Sequence, residues 1–123
     1  MTNNTPTESQ DQIKIVQYLE ILERQWKVLW FTGSGNWQFQ KSMAVKMKMK
    51  REWIRAGMPD LFIVFQSQIV LIELKRLKGG KPKEEQIKAV ESINKVWDKV
   101  WWVCAFITYW FEETKKIIDH YCK

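Results

Sequence analysis

This 123-residue sequence has one histidine, two cysteines and three prolines, and these scarcities exclude several classes of protein. A single histidine, His120, makes a histidine-based metal site implausible. Cys104 and Cys122 provide neither a disulfide framework nor metal-ligand spacing, so we expect a reducing compartment: the cytoplasm, or the host cytoplasm for a viral protein. No apolar run approaches the roughly 20 residues of a membrane-spanning helix. The polar segment 1–12 lacks the basic and apolar regions of a secretory signal.

The remaining composition is typical of a single basic domain, which we place at residues 10–123 after a disordered tail at 1–9. The net charge of +6 fits a polyanionic partner. The distribution of that charge is more informative. Six basic residues lie between positions 41 and 55, against the single acid Glu52: Lys41, Lys46, Lys48, Lys50, Arg51 and Arg55. Such a cluster favours contact with nucleic-acid phosphates, although a basic helical face is often only solvated.

Hydrophobic periodicity predicts an α/β sandwich around a central mixed sheet, with element order αβαββαβα. The first helix has the apolar stripe Ile15, Leu19, Leu22 and Trp26, and Ser9 is its expected N-cap. The predicted helices cover 10–25, 40–56, 82–95 and 109–121, and the predicted strands 28–31, 59–65, 69–75 and 100–108. We expect most of the eight tryptophans in the core, although Trp97, Trp101 and Trp102 could instead form an exposed patch for a partner.

Three charged residues interrupt the two strands at 59–65 and 69–75, which a short polar break joins into a predicted hairpin. Asp60 lies at the start of the first strand, and Glu73 and Lys75 lie at the end of the second, so an antiparallel hairpin brings them together. Glu73 and Lys75 are two residues apart and therefore lie on one face of their strand. Two carboxylates are suitable ligands for Mg²⁺, and a neighbouring lysine can activate water or stabilise developing charge. This combination predicts phosphodiester hydrolysis.

The segment between Gly57 and Gln86 resembles the VRR-NUC family of PD-(D/E)XK nucleases. The resemblance is carried by Gly57-x-Pro59-Asp60-Leu61, by Ile72-Glu73-Leu74-Lys75, by Gly79-Gly80 and by Glu85-Gln86. It implies the restriction-endonuclease-like fold and a metal site of Asp60, Glu73 and the Leu74 backbone carbonyl, holding Mg²⁺ with Mn²⁺ as a substitute. It also implies that Gln86 faces the site, and that the first helix supplies one more acid, for which we favour Glu8 over Glu20 and Glu23.

The resemblance leads us to expect a Mg²⁺-dependent endonuclease that cuts branched DNA, such as flaps or four-way junctions, in replication, recombination or repair. Cutting both strands of a symmetric branch would need a homodimer. The basic turn Arg76, Lys78 and Lys81 is expected to contact DNA, as is the loop residue Asn36. Two alternatives remain: a nucleic-acid-binding subunit that does not cut, and a structural protein in which the three charges form a buried ion network.

Overall fold

A computed structural model describes residues 7–33, 57–76, 78–95 and 101–122, except for the side chains of Glu8 and Ser9. The predicted helix over 40–56 lies outside these residues, as do Asn36 and the basic cluster from Lys41 to Arg55. The described helices and strands are α1 Glu8–Arg24, β1 Trp30–Gly33, β2 Leu61–Val64, β3 Ile69–Lys75, α2 Glu84–Lys95, β4 Val103–Tyr109 and α3 Trp110–Tyr121.

The strands form one mixed sheet in the order β1-β2-β3-β4. Strand β2 runs antiparallel to both β1 and β3, whereas β4 runs parallel to β3. The predicted hairpin is therefore present as β2 and β3, with Leu61 opposite Ile72 and Val64 opposite Ile69. Together with its flanking helices, this mixed sheet confirms the α/β prediction.

The two faces of strand β3 differ: one contributes to the hydrophobic core, and the other carries Glu73 and Lys75. Val70, Ile72 and Leu74 are buried with Ile15 and Ile118, so α1 and α3 pack on their face of the sheet. Glu73 and Lys75 leave the opposite face because side chains alternate along a strand. Helix α2 packs on this second face, against β4.

Hydrogen-bonding side chains move the starts of two helices from their predicted positions. Thr7, not Ser9, is the N-cap of α1, because its hydroxyl accepts from the Gln10 backbone N–H at 3.1 Å while the Gln10 side chain accepts from the Thr7 N–H. Glu8 and Ser9 therefore belong to the helix rather than to the predicted tail. Helix α2 begins at Glu84 instead of Pro82, and the Lys83 backbone N–H just before it donates to Gln86 Oε1 at 2.8 Å.

The end of α1 is a Schellman motif with tryptophan in the position that usually holds glycine. The backbone N–H of Trp26 donates to Glu23 at 3.1 Å, and that of Lys27 donates to Leu22 at 3.0 Å. Trp26 consequently has φ 61°, a left-handed conformation that costs an L-residue about 1–2 kcal/mol.

The expectation that most tryptophans lie in the core is wrong for the part of the chain that the structure describes. Trp26 is 73% exposed, and Trp30, Trp101 and Trp102 are also exposed, whereas Trp110 is half-buried. The apolar stripe of α1 is confirmed only for its first three members, because the chain turns out of the helix before Trp26.

The outer edge of β4 is covered at Ala105 by a side chain from α2. Asn94 Nδ2 donates to the Ala105 carbonyl at 2.9 Å, and the Ala105 N–H donates to Asn94 Oδ1 at 2.8 Å. The amide of Asn94 thus makes the pair of hydrogen bonds that a neighbouring strand would make.

Candidate active site

The structure brings Asp60, Glu73 and Lys75 together at one end of the β2–β3 hairpin. The pairing of Leu61 with Ile72 places the next residues outward, Asp60 and Glu73, opposite each other. The Leu74 backbone N–H donates to Asp60 Oδ2 at 3.0 Å, which fixes the Asp60 carboxylate against β3. Asp60 and Glu73 are 5% and 2% exposed. A local register therefore assembles two buried carboxylates beside a lysine.

The two oxygens of Glu73 have different surroundings. Oε1 lies 3.3 Å from Lys75 Nζ and accepts a hydrogen bond from Gln86 Nε2 at 2.5 Å. Oε2 is buried and makes no hydrogen bond of ordinary geometry to a described residue, although a proton on Glu73 could be shared with the nearby Asp60 carboxylate. Because an unpartnered buried carboxylate oxygen is costly, this atom needs a ligand or a proton.

The surroundings of Glu73 favour its protonated form. Burial raises its pKa most, and the Asp60 carboxylate raises it further, so that the pKa rises from 4.5 to about 8 even though Lys75 opposes the change. A cation bound by both carboxylates would offset the cost of burying the Glu73 charge and the repulsion from Asp60, because it neutralises the negative charge.

Gln86 is oriented by the first turn of α2. Its Oε1 accepts from the Lys83 backbone N–H at 2.8 Å, so its amide nitrogen must face the other way, toward Glu73. The structure thus places the Gln86 amide against Glu73, and the part of Gln86 in catalysis stays a prediction. One side chain thus connects the start of α2 to a carboxylate of the site.

We expect Gln86→Glu to make the stability of the metal-free protein depend more steeply on pH. A glutamate keeps the oxygen that accepts from Lys83 but replaces the donor to Glu73 by a second carboxylate, and like charges this close repel. The melting temperature of Gln86→Glu should therefore fall more than that of wild type as the pH rises from about 6 to about 9, because carboxylates with raised pKa values lose their protons in this range. Gln86→Ala, which adds no charge, is the control, and an equal slope in both variants would contradict the arrangement.

Gly57 allows the segment before Asp60 to lie directly against α2. It has φ 81°, and a Cβ at this position would lie 2.2 Å from the Glu85 carbonyl oxygen and 3.0 Å from the Gln86 nitrogen. A glycine is required here for both its conformation and the close approach. The contact sets the distance between the Asp60 side of the site and Gln86.

The acids of α1 are distributed unequally with respect to the site. Glu20 and Glu23 lie toward the C-terminal end of α1. Just beyond this end, the Trp26 carbonyl accepts from the Gln66 side chain in the β2–β3 turn, which lies at the opposite end of the hairpin from Asp60. Glu20 and Glu23 therefore lie far from the site. The side chain of Glu8 lies outside the described part of the structure, so its metal role stays a prediction.

Asp11 is a buried acid that the sequence prediction missed. Asp11 is 1% exposed and lies near the backbone N–H of Phe111. Neither of its carboxylate oxygens makes a hydrogen bond of ordinary length to a described residue. Burial raises the pKa of Asp11, while the Phe111 N–H and Lys14 oppose that change. The sequence signal was available: Asp11 lies four residues before Ile15, in line with the apolar stripe of α1.

The basic turn after β3 is only partly solvent-exposed. Lys78 and Lys81 are exposed, whereas Arg76 is half-buried and its Nε is buried with no hydrogen-bond partner in the described regions. Contact of these residues with DNA stays a prediction.

Asp60 and Glu73 fit a hard divalent cation. The donors are carboxylate oxygens, and the buried Glu73 Oε2 makes no hydrogen bond of ordinary geometry to a described residue. Among the residues that the structure describes, no group of three or more acidic, histidine or cysteine side chains converges. Mg²⁺ suits such a site because it commonly uses one or two protein carboxylates and keeps several waters. No described helix has the length and apolarity to cross a membrane.

Comparisons with known proteins agree with this fold. No protein-family model matches the sequence, and no curated protein matches it. Among solved structures, the chain is similar to a "VRR_NUC domain protein", with a TM-score of 0.69 and 18% sequence identity over 97% of this chain and 90% of the other. The chain therefore has the fold of a VRR-NUC domain.

Proposed function

We propose that this protein is a metal-dependent deoxyribonuclease that hydrolyses phosphodiester bonds. The observation that carries the proposal is the pair Asp60 and Glu73, buried opposite each other, with Glu73 Oε2 making no hydrogen bond of ordinary geometry to a described residue and Lys75 Nζ 3.3 Å from Oε1. A buried carboxylate with a raised pKa, such as Glu73 beside Asp60, is unfavourable for folding alone, whereas active sites commonly contain such groups. The shared fold with a VRR_NUC domain protein supports the same conclusion.

Each side chain has a role that its position allows. Asp60, Glu73 and the Leu74 carbonyl would hold Mg²⁺, or Mn²⁺ in its place, and Glu8 is a possible further ligand from α1. The metal, when bound, lowers the pKa of coordinated water and offsets charge on the phosphate. Lys75 would position the attacking water and stabilise negative charge on the phosphate. Gln86 holds the Glu73 carboxylate in place through its amide N–H.

The substrate that we propose is branched DNA, such as a flap or a four-way junction, in replication, recombination or repair. The basic residues from Lys41 to Arg55 and the turn at Arg76, Lys78 and Lys81 would contact phosphates, which position DNA without reading its sequence. Symmetric cutting of a branch would require two copies of the chain.

We expect Lys75→Ala to lower the rate of metal-dependent cleavage by about 10²–10⁴-fold, the usual contribution of a positioned acid–base or electrostatic group. End-labelled duplex, flap and four-way-junction DNA would each be incubated with Mg²⁺, Mn²⁺ or EDTA and resolved on a denaturing gel. Lys116→Ala is the matched control, because Lys116 is an exposed lysine on α3, which packs on the opposite face of the sheet.

Cleavage by wild type that EDTA abolishes, and that Lys75→Ala loses while Lys116→Ala keeps it, would establish the proposed function. Tight DNA binding without cleavage under every metal condition would instead identify a non-cutting subunit of a larger nuclease complex. Absence of both binding and cleavage would overturn the nucleic-acid assignment.

A further inference from the structure

Four exposed tryptophans surround the end of the sheet that is remote from the candidate active site. Trp30 pairs with Val64 at the end of β2, and the Trp102 carbonyl accepts from Ile69 at the start of β3. Trp26 and Trp101 lie beside the turn that joins these strands. We call Trp26, Trp30, Trp101 and Trp102 the tryptophan surface; their exposed fractions are 73%, 55%, 63% and 47%.

The β2–β3 turn holds two of these residues through their backbones. Gln66 Nε2 donates to the Trp26 carbonyl at 3.1 Å, and Gln68 Nε2 donates to the Trp101 carbonyl at 3.0 Å. The turn therefore fixes both chain segments at one end of the sheet, while these bonds leave the indole rings exposed.

Folding does not explain the tryptophan at position 26. The Schellman motif places this residue at φ 61°, where glycine is favoured, and its ring is the most exposed of the large apolar side chains described. A residue that is unfavourable in both backbone and solvation terms is a candidate for a binding role.

The charge beside Trp26 indicates the partner. Arg24 and Lys27 flank it and are both exposed, and the chain carries a net charge of +6. A second copy would bring like charges together, whereas phosphates would meet opposite charge. Indole rings next to cations are the usual platform for unpaired bases, whose faces are free to stack.

We propose that the tryptophan surface binds the unpaired bases of single-stranded nucleic acid. This proposal rests on the proposed function, because a single-strand site would give the nuclease a preference for DNA with a single-stranded arm. Ile69 and Glu73 are four residues apart in β3, about 13 Å. An unpaired segment of a few nucleotides would span this distance.

The test is binding in EDTA, measured by the fluorescence anisotropy of a labelled oligothymidine of about 12 nucleotides and of a duplex of equal length. We expect Trp26→Gly and Trp101→Ser each to weaken single-strand binding by about tenfold or more without changing duplex binding. Trp26→Gly keeps the hydrogen bond between the residue 26 carbonyl and Gln66, and it removes the strain of a tryptophan at positive φ. Its melting temperature should therefore equal or exceed that of wild type. Ile13→Ser, which removes a 55% exposed apolar side chain from the other half of α1, should bind as wild type does.

Wild-type affinity of Trp26→Gly for the single strand would overturn the proposal. So would a wild-type dimer in analytical ultracentrifugation that Trp26→Gly converts to a monomer, because a second copy would then occupy the surface. Because binding is measured in EDTA, it does not depend on metal-dependent cleavage. Tryptophan-dependent binding in EDTA, together with no cleavage in Mg²⁺ or Mn²⁺, would therefore overturn only the proposed function. Nuclease activity with tryptophan-independent binding would overturn only the present proposal.

Discussion

Replacement of Glu73 by glutamine is expected to abolish cleavage and at the same time to stabilise the metal-free protein at alkaline pH. Glutamine keeps the size of the side chain but removes the anionic oxygens that would bind a cation with Asp60. We therefore expect the cleavage rate to fall by about 10³-fold or more. Calorimetric titration with Mg²⁺ or Mn²⁺ should show a matching loss of metal binding.

The stability effect follows from the raised pKa of Glu73. Its pKa is about 8 in the folded protein, against an ordinary value of 4.5. The folded state thus binds this proton more tightly than the unfolded state does, and the resulting stability is present below pH 4.5 and is lost as the pH rises toward 8. Each pKa unit corresponds to about 1.4 kcal/mol, so the free energy of unfolding should fall by a few kcal/mol across this range. Because glutamine does not titrate, the Glu73→Gln variant avoids this loss of stability.

The measurement is thermal denaturation in EDTA at a series of pH values. The melting temperature of Glu73→Gln relative to wild type should rise with pH by several degrees. Glu91→Gln is the control, because Glu91 is an exposed carboxylate on α2, and its difference from wild type should not change with pH. A Glu73→Gln protein that cleaves DNA at the wild-type rate would exclude Glu73 from the metal site.

Gly57→Ala is expected to impair both stability and activity, although residue 57 carries no functional group. The methyl group would lie 2.2 Å from the Glu85 carbonyl oxygen, so the segment before Asp60 and the first turn of α2 must separate. Strain at positive φ and overpacking together should destabilise the protein by about 2–5 kcal/mol. Displacement of Gln86 by about 1 Å from Glu73 should lower the cleavage rate by about 10²-fold.

Gly79→Ala separates the effect of this contact from that of backbone conformation. Gly79 has φ 76°, close to the 81° of Gly57, but a Cβ there would meet no described atom within 4 Å. We expect Gly79→Ala to cost about 1–2 kcal/mol in unfolding free energy and to retain near wild-type cleavage. Equal losses of activity in the two variants, measured below their melting temperatures, would show that the contact between Gly57 and Glu85 does not position the site.

The candidate site was predictable from the sequence because its geometry is local. Asp60, Glu73 and Lys75 belong to one hairpin, and the register of a short hairpin follows from its turn and its apolar pattern. Gln86 needed the family resemblance, because periodicity places it only in the first turns of a helix. Its distance from Glu73 depends on the glycine contact at residue 57, which no sequence pattern reveals.

The exposed tryptophans and the helix starts were not predictable from the same patterns. Hydrophobicity marks Trp26 as a core residue at helical spacing, but the Schellman turn directs the chain out of the helix first. The start of α1 depends on the reciprocal bonds of Thr7 and Gln10, which compete with an equally plausible cap at Ser9. Asp11 was missed because charge usually indicates a surface position, whereas here α3 covers it.

The amide of Asn94 has a consequence for how copies of this protein could assemble. An uncovered strand edge allows sheets to join side by side into continuous sheets or fibrils. Because Asn94 already occupies the N–H and the carbonyl of Ala105, a neighbouring chain could add to β4 there only after displacing that side chain. Deamidation of Asn94 would replace its donor by a carboxylate facing the Ala105 carbonyl. An ageing reaction at one side chain of α2 would then open a sheet edge to aggregation without altering Asp60, Glu73 or Lys75.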